Sequence, residues 1–405
     1  MDTGRPRNSR VVKSRATTRG IARLLFASAV VCATGAVADA RPNVLLICAD
    51  DHAPYVMGAY GNTTVRTPNL DRLANDGLRF DRAYANSPVC TASRQSLLTG
   101  RYPRTIGVTQ LRTPLPPEET TLAELLGDAG YETAAIGKMH FNSDMAHGFH
   151  TRIDMPDHRR MLQRRGAQPL PPDTRVQPLW RPFKDHARTW LNSEGLPYGA
   201  VDENMPGTYF AEEAANFLRA DREDPFFLMV SFYEPHSPFH FPVEFAGRHS
   251  PDEFTAPEMQ DADRWQVPAI FADLTDEEKR GIIASYYTSV EFMDRNVGVV
   301  LDALIASGHA DNTLVIYIGD HGYMLGQHGR FEKHCSFEPA VRSPLVVRYP
   351  GVVTPGQATS ALVEFIDIAP TILDVCGVTV PAAVQGRTLL SLLMGRTDTH
   401  RGHVV

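Results

Sequence analysis

The sequence predicts an α/β fold in which a mostly parallel central sheet is covered by helices on both faces. Three observations carry that prediction. Short, continuous apolar runs alternate along the chain with longer amphipathic segments. The apolar runs are too uninterrupted for a sheet with one wetted face, which would alternate apolar and polar residues. Several of them stop at a polar cluster, as a buried strand does on reaching its loop.

Residues 43–48 (Asn-Val-Leu-Leu-Ile-Cys) form the first run, which ends at Asp50 and Asp51. Residues 68–75 read as a helix, with Pro68 in its first turn and Gly77 just past its end. Cys90 opens a further helix. Residues 121–128 are helical with Gly130 as their stop, and 131–136 form the next strand. A helix over 209–220 feeds a strand over 226–232, and a long helical stretch over 275–307 feeds a strand over 313–318. A strand over 344–349 and a helix over 368–375 close the series. Segments 150–206 and 235–268 lack clear periodicity and are expected to be irregular insertions, the kind of loop that carries function.

Residues 1–40 read as an export signal. Arg5, Arg7, Arg10, Lys13, Arg15, Arg19 and Arg23 precede an apolar run over 24–37, and Ala38-Asp39-Ala40 supplies a small-residue cleavage site. Ser28, Thr34 and Gly35 interrupt the run, which falls short of the ~20 apolar residues of a spanning helix. The expectation is therefore a cleaved leader, a catalytic domain over 41–405, no stable membrane anchor, and a periplasmic or secreted location. The leader carries a net +5, so the remaining chain has a net charge of -12 against -7 for the whole. Such an acidic domain does not suggest a nucleic-acid-binding face. With Cys32 in the leader, Cys48, Cys90, Cys335 and Cys376 remain, which is no disulfide framework. Cys48 lies within an apolar run and reads as a core thiol.

Reactive residues gather just past predicted strands: Asp50-Asp51, Lys138-Met-His140, Glu234-Pro-His236 and Asp320-His321. Sheets of this class bind ligands at the carboxyl ends of their strands. Asp50, Asp51 and Asp320 would repel one another there unless a cation joined them. Carboxylate oxygens favour calcium or magnesium, and His321 leaves a softer metal open. Arg94, Lys138, His140, His236 and Lys333 make a second, cationic set, suited to a substrate bearing several negative oxygens such as a sulfate or phosphate ester. Cys90 does not fit a cysteine phosphatase, which needs Arg six residues after the nucleophile, because Ser96 stands there and Arg94 comes too early.

Cys90-Thr-Ala-Ser-Arg94 followed by Leu98-Thr-Gly100 resembles the signature Cys-x-Pro-Ser-Arg…Leu-Thr-Gly of the formylglycine-dependent sulfatases, members of the alkaline phosphatase superfamily. Gly137-Lys-Met-His-Phe141, His147-Gly-Phe149 and the stretch from Leu325 to Lys333 are most similar to iduronate-sulfatase-like and choline-sulfatase-like members. Two departures stand out: Ala92 replaces the signature proline, and the chain stops at Val405, where relatives continue into a small antiparallel subdomain, here expected to be absent or truncated.

The resemblance implies an alkaline phosphatase-like fold and an exported enzyme that releases sulfate from sulfated small molecules or glycans. It implies that a maturation enzyme oxidises Cys90 to formylglycine, whose hydrated aldehyde supplies the attacking hydroxyl. It implies metal ligation, usually of calcium, by Asp50, Asp51, Asp320, His321 and the modified Cys90. Arg94 would steady the diol and His140 would take part in proton transfer. Lys138, His236 and Lys333 would hold the sulfate oxygens, with either His236 or Lys333 protonating the leaving alcohol. The alternatives are a phosphate or phosphonate ester hydrolase of the same superfamily and a non-catalytic binder of sulfated glycans. The oligomeric state is open.

Overall fold

The first strand, β1 (Asn43–Ala49), is buried at every position, because its side chains alternate between two apolar layers. Leu45 and Ile47 enter one core cluster, and Val44, Leu46 and Cys48 enter the other. The computed structural model describes residues 41–177 and 191–405; the expected leader over 1–40 lies outside the described residues. Among the described residues no helix is long and apolar enough to cross a membrane.

Chain order runs β1, α1 (Pro68–Asn75), β2 (Leu78–Phe80), β3 (Ala83–Tyr84), α2 (Cys90–Thr99), α3 (Leu122–Asp128), β4 (Glu132–Gly137), β5 (Thr151–Ile153) and α4 (Met155–Arg165). It continues through α5 (Pro206–Arg219), β6 (Phe226–Ser231), α6 (Ala269–Ala272), α7 (Asp276–Ala306), β7 (Thr313–Gly319), α8 (Glu338–Val341), β8 (Leu345–Arg348), β9 (Gln357–Thr359), β10 (Val363–Glu364), α9 (Ile368–Val375) and α10 (Leu390–Leu393). Eight strands form one sheet in the order β5-β4-β6-β1-β7-β8-β2-β9, and β3 pairs with β10 apart from it. The contiguous run from β5 to β7 is parallel, whereas β8 lies antiparallel to both β7 and β2.

Helices α1, α5 and α7 cover one face, where Leu70, Phe210, Ala214, Met293 and Val297 meet Leu45, Ile47 and Val315. Helices α2, α3, α9 and α10 cover the other through Leu98, Leu122, Ile372 and Leu393. Each large apolar side chain buried this way stabilises the fold by about 1.5–3 kcal/mol. The doubly covered, mostly parallel sheet is the one expected.

One expectation needs correction. Segment 150–206 is not wholly irregular: β5 extends the sheet beside β4, and α4 follows it. Helix α4 escapes a periodicity search because it buries only His158; it is nucleated by a capping box from Asp154 to Asp157. Helix α5 also begins at Pro206 rather than residue 209, as suits proline in a first turn. Segment 235–268 contains only short 3₁₀ turns.

A second concentration of buried charge lies beyond β10. Both oxygens of Asp367 accept bonds: from the backbone N–H of Glu364 (3.0 Å) and Arg387 (2.8 Å), from His400 Nε2 (3.0 Å), and from the Arg401 guanidinium. Arg401 also pairs with Glu364 at 3.0 Å.

Candidate active site

The four strands β4, β6, β1 and β7 are neighbours in the sheet, so their carboxyl ends form one continuous rim. Ladder bonds run past the strand ends and fix the first residues of each loop. Asp50 N–H donates to Glu234 O (3.2 Å), Lys138 N–H to Ser231 O (2.9 Å), and Asp320 N–H to Ala49 O (2.9 Å). At Gly137 the backbone is left-handed (φ +94°), and a Cβ there would sit 1.9 Å from Ser231 O, so only glycine lets β4 end beside β6. Asp51 is also left-handed, at φ 67°, a conformation that short polar side chains tolerate better than most.

Helix α2 brings Cys90 to this rim. All ten of its residues are buried, and Val89 before it offers no side-chain cap. The polar side chains of α2 instead bond across the site: Ser93 Oγ donates to Asp320 O (2.5 Å) and Gln95 Nε2 to His140 O (2.9 Å). Cys90 Sγ lies 3.3 Å from Asp50 Oδ1, 3.2 Å from His321 Nε2 and 3.5 Å from Lys333 Nζ. His321 donates from Nδ1 to Gly322 O (2.9 Å), which leaves the Nε2 lone pair facing the acidic group.

Each of the three carboxylates has a cation beside it. Asp50 pairs with Lys138, Asp51 with Lys333 (2.6 Å) and Asp320 with Arg94 Nε (2.8 Å). Arg94 Nη1 also donates to Lys138 O (2.7 Å) and Ser231 Oγ (2.5 Å), while its buried Nη2 has no partner among the described residues. Ligand atoms of Asp50, Cys90, Asp320 and His321 lie within 4.8 Å of one another, and so do those of Asp50, Asp51, Cys90 and His236. This set can hold a metal ion.

Burial alone would raise both Asp51 and Asp320. For Asp51 the Lys333, His236 and His321 groups outweigh it, and for Asp320 the His321 and Arg94 groups do, so both carboxyls stay below their ordinary range. Burial lowers His321, and burial with the Lys333 charge holds His236 well below its usual value. Burial and then Lys138 push His140 down to about 2. These imidazoles are neutral near pH 7, as ligands and proton acceptors must be. Burial drives the Cys90 thiol far up, so unmodified Cys90 is not a thiolate nucleophile.

Asp50, Asp51, Lys138, His140, His236, Asp320 and His321 are found at this rim, together with Lys333, which is 6% exposed, whereas the Glu234 carboxylate turns instead toward Gly207 of α5 and Asn296 of α7. His140 is partly buried there, with Nδ1 unpartnered among the described residues. Sequence reading missed Tyr286, whose hydroxyl on α7 donates to Asp51 O (2.5 Å) and accepts from Ala53 N–H (2.8 Å). It also missed Tyr233, whose ring lies 5.4 Å below Lys138 Nζ. Proximity to Glu234-Pro-His236 could have flagged Tyr233; nothing local marks Tyr286. Cys48 is fully buried in the core, its thiol pushed up to about 11 by burial.

The sequence model of the sulfatase family matches residues 42–378. The chain belongs to the sulfatase family. An arylsulfatase of Clostridium perfringens is 30% identical to this sulfatase over 90% of this chain and 81% of the relative. An N-acetylglucosamine-6-O-sulfatase of Bacteroides thetaiotaomicron is 28% identical, over 89% of this chain and 72% of its own length. Among solved structures, a phosphonate monoester hydrolase of Agrobacterium radiobacter matches 88% of this sulfatase and 77% of that chain, with TM-score 0.76 and 26% identity. The fold is thus the alkaline phosphatase-like one, and the enzyme is a sulfuric ester hydrolase.

Proposed function

We propose that this sulfatase releases sulfate from sulfated carbohydrates, using formylglycine made from Cys90 and one divalent cation, calcium by preference. The observation that carries the proposal is the meeting of Cys90 Sγ with Asp50, His321 and Lys333 within 3.5 Å. The donor set fits the ion: three carboxylates and one neutral imidazole favour a hard cation, which would take over the charge balance that Lys138 and Lys333 otherwise supply. Asp50, Asp51, Asp320 and His321 would hold it, with residue 90 completing the set. The hydrated aldehyde would supply one hydroxyl to take the sulfuryl group from the alcohol and a second whose deprotonation would restore the aldehyde and expel sulfate, and the cation would ease loss of the proton.

The chain's own residues do the rest. Arg94, clamped by Asp320, Ser231 and the Lys138 carbonyl, has Nη2 left to hold residue 90 in place. Lys138 and Lys333 neutralise carboxylates without the ion; with it, their ammonium groups are available to the sulfate oxygens. His140, neutral, accepts a proton. His236 or Lys333 protonates the leaving alcohol, and general-acid help of this kind is worth about 10²- to 10⁴-fold. The proposal includes a leader over 1–40, a catalytic domain over 41–405 and action outside the cytoplasm, after conversion of Cys90 by a maturation enzyme.

The likeness to a phosphonate monoester hydrolase favours one second reading, an ester hydrolase for phosphonates working through the same rim. Co-expression with a maturation enzyme, mass spectrometry of the Cys90 peptide and matched turnover of an aryl sulfate and an aryl phosphonate test both. The expected result is the thiol-to-aldehyde mass change and faster sulfate release. Active protein with an intact thiol defeats the formylglycine assignment, and faster phosphonate cleavage selects the second reading.

A further inference from the structure

Beside the rim, a cavity of about 300 Å³ shares Lys138 and His140 with it and is otherwise lined by Asn142, Asp144, Arg152, Asp154 and Tyr233 among others. That volume is at the small end for ligand pockets, which span roughly 300–1,000 Å³. Its lining is unusual in being so polar, since most small-molecule pockets are mainly apolar. Two carboxylates, a carboxamide, a guanidinium and a phenol suit a compact molecule carrying many hydroxyl groups, and offer little to an aromatic or steroid ring.

Tyr233 donates to Asp154 (3.0 Å), which also caps α4, so the groups left available are Asp144, Arg152 and His140. Arg152 donates from Nη1 to Met145 O (2.7 Å) and lies over the Phe141 ring, but no carboxylate pairs with it among the described residues. Asp144 is exposed and in no ion pair among the described residues. The unpartnered Nδ1 of His140 belongs to a side chain lining the same cavity. The backbone is committed to this shape: His140 (φ 62°) and Asn142 (φ 57°) are both left-handed, a conformation that persists only where the surroundings hold it. Here Gln95 Nε2 holds His140 O, Leu115 N–H holds Phe141 O (3.1 Å), and Asn142 Nδ2 donates to Thr113 O (3.1 Å).

We infer that this cavity is the subsite for the alcohol half of the ester, and that Asp144 and Arg152 are specificity-determining residues that select a monosaccharide-sized polyol over an aryl alcohol. The inference rests on the sulfate-ester reading above. Lys138 and His140 join the two sites: the sulfate end faces the rim while ring hydroxyls donate to Asp144 and accept from Arg152. A hydrogen bond to a charged group is worth about 1.5–3 kcal/mol, roughly 10- to 150-fold in discrimination.

The test compares kcat/KM for N-acetylglucosamine-6-sulfate and for nitrophenyl sulfate in the matured wild type, Asp144→Ala and Arg152→Ala. The sugar-to-aryl ratio is expected to fall at least about 10-fold in each variant, mainly through KM. Because Arg152 also braces its loop, Asp144→Ala is the decisive variant. A parallel measurement uses Cys90→Ala protein, in which the melting-temperature rise caused by the sugar sulfate should shrink when Asp144→Ala is added. An unchanged ratio, or an unchanged sugar-induced shift, overturns the subsite while sulfate release by the wild type leaves the parent reading intact. A wild type that frees sulfate from neither ester overturns the parent reading, and the subsite with it.

Discussion

Two clusters of buried charge share this fold and differ in how complete they are. Around Asp367 every bond the carboxylate needs comes from the chain itself, through two backbone amides, one imidazole and one guanidinium. At the strand-end rim three carboxylates crowd together, and Arg94 Nη2 and His140 Nδ1 remain unpartnered among the described residues. A self-satisfied cluster fastens one segment to another. An unsatisfied one is set up for something that arrives from outside, because a buried polar atom without a partner costs about 1–3 kcal/mol. Buried charge by itself therefore does not mark a reaction centre; at the rim the mark is the coincidence of crowded carboxylates, a neutral imidazole and unpartnered donors in one place.

The sharpest way to break this contrast is to change one carboxylate in each cluster. Asp320→Asn is expected to lower sulfate release by about 10³-fold, some 4 kcal/mol, because the rim loses a charge that both a metal and Arg94 require. Initial rates of sulfate release measure it. Asp367→Ala is expected to lower unfolding free energy by about 3 kcal/mol, since it leaves two backbone amides and His400 without their acceptor and takes one of the two carboxylates from Arg401, while kcat/KM per folded molecule stays within about 2-fold. Denaturant melts and active-site titration separate those two effects. If Asp367→Ala abolished catalysis without loss of stability, the distinction between the clusters would fail.

Calcium gives a smaller effect of opposite sign. Chelated protein should gain about 2.7 kcal/mol at free calcium one hundred times its dissociation constant, and Asp51→Asn should remove that gain, as read by thermal melts. Asp367→Asn should leave it in place.

The smallest effect belongs to His249, which sits in the 235–268 segment between Glu253 (3.0 Å) and Glu291 of α7 (2.9 Å). Burial lowers its pKa, but the two carboxylates outweigh burial and the folded value is raised. Its stabilising contribution is therefore full below the unfolded pKa, about 6.5, and fades as pH rises through the folded value. His249→Gln should cost about 1–2 kcal/mol at pH 6 and less at pH 9. A melt series across that range that shows a larger loss at high pH would refute the assignment.

The sequence made much of the rim legible because each piece is local: an apolar run followed at once by Asp50-Asp51, by Lys138 and His140, by His236, or by Asp320-His321. Adjacency of the four strand ends came only with the sheet order. The Asp367 cluster was not legible, since Arg401 stands 34 residues away on a stretch without periodicity. No strand end marks Lys333 in the sequence; its bond to Asp51 (2.6 Å) is what brings it to the rim. Strands β2, β3, β9 and β10 run two or three residues, too short for any pattern to register. Helix α4 hid behind its charge, with a capping box its one clear signal.

Helix α7 has 31 residues, about 46 Å of rise, and holds four otherwise separate regions. Tyr286 fastens the loop after β1, Glu291 takes Arg66 N–H and His249, Asp294 takes the amides of Asn69 and Leu70, and Arg295 takes Asp202. Most of its length is thereby closed to drift, since one altered turn would disturb several partners at once. A laboratory library meant to retarget this enzyme should leave that helix fixed and diversify the 141–145 and 237–268 connections instead.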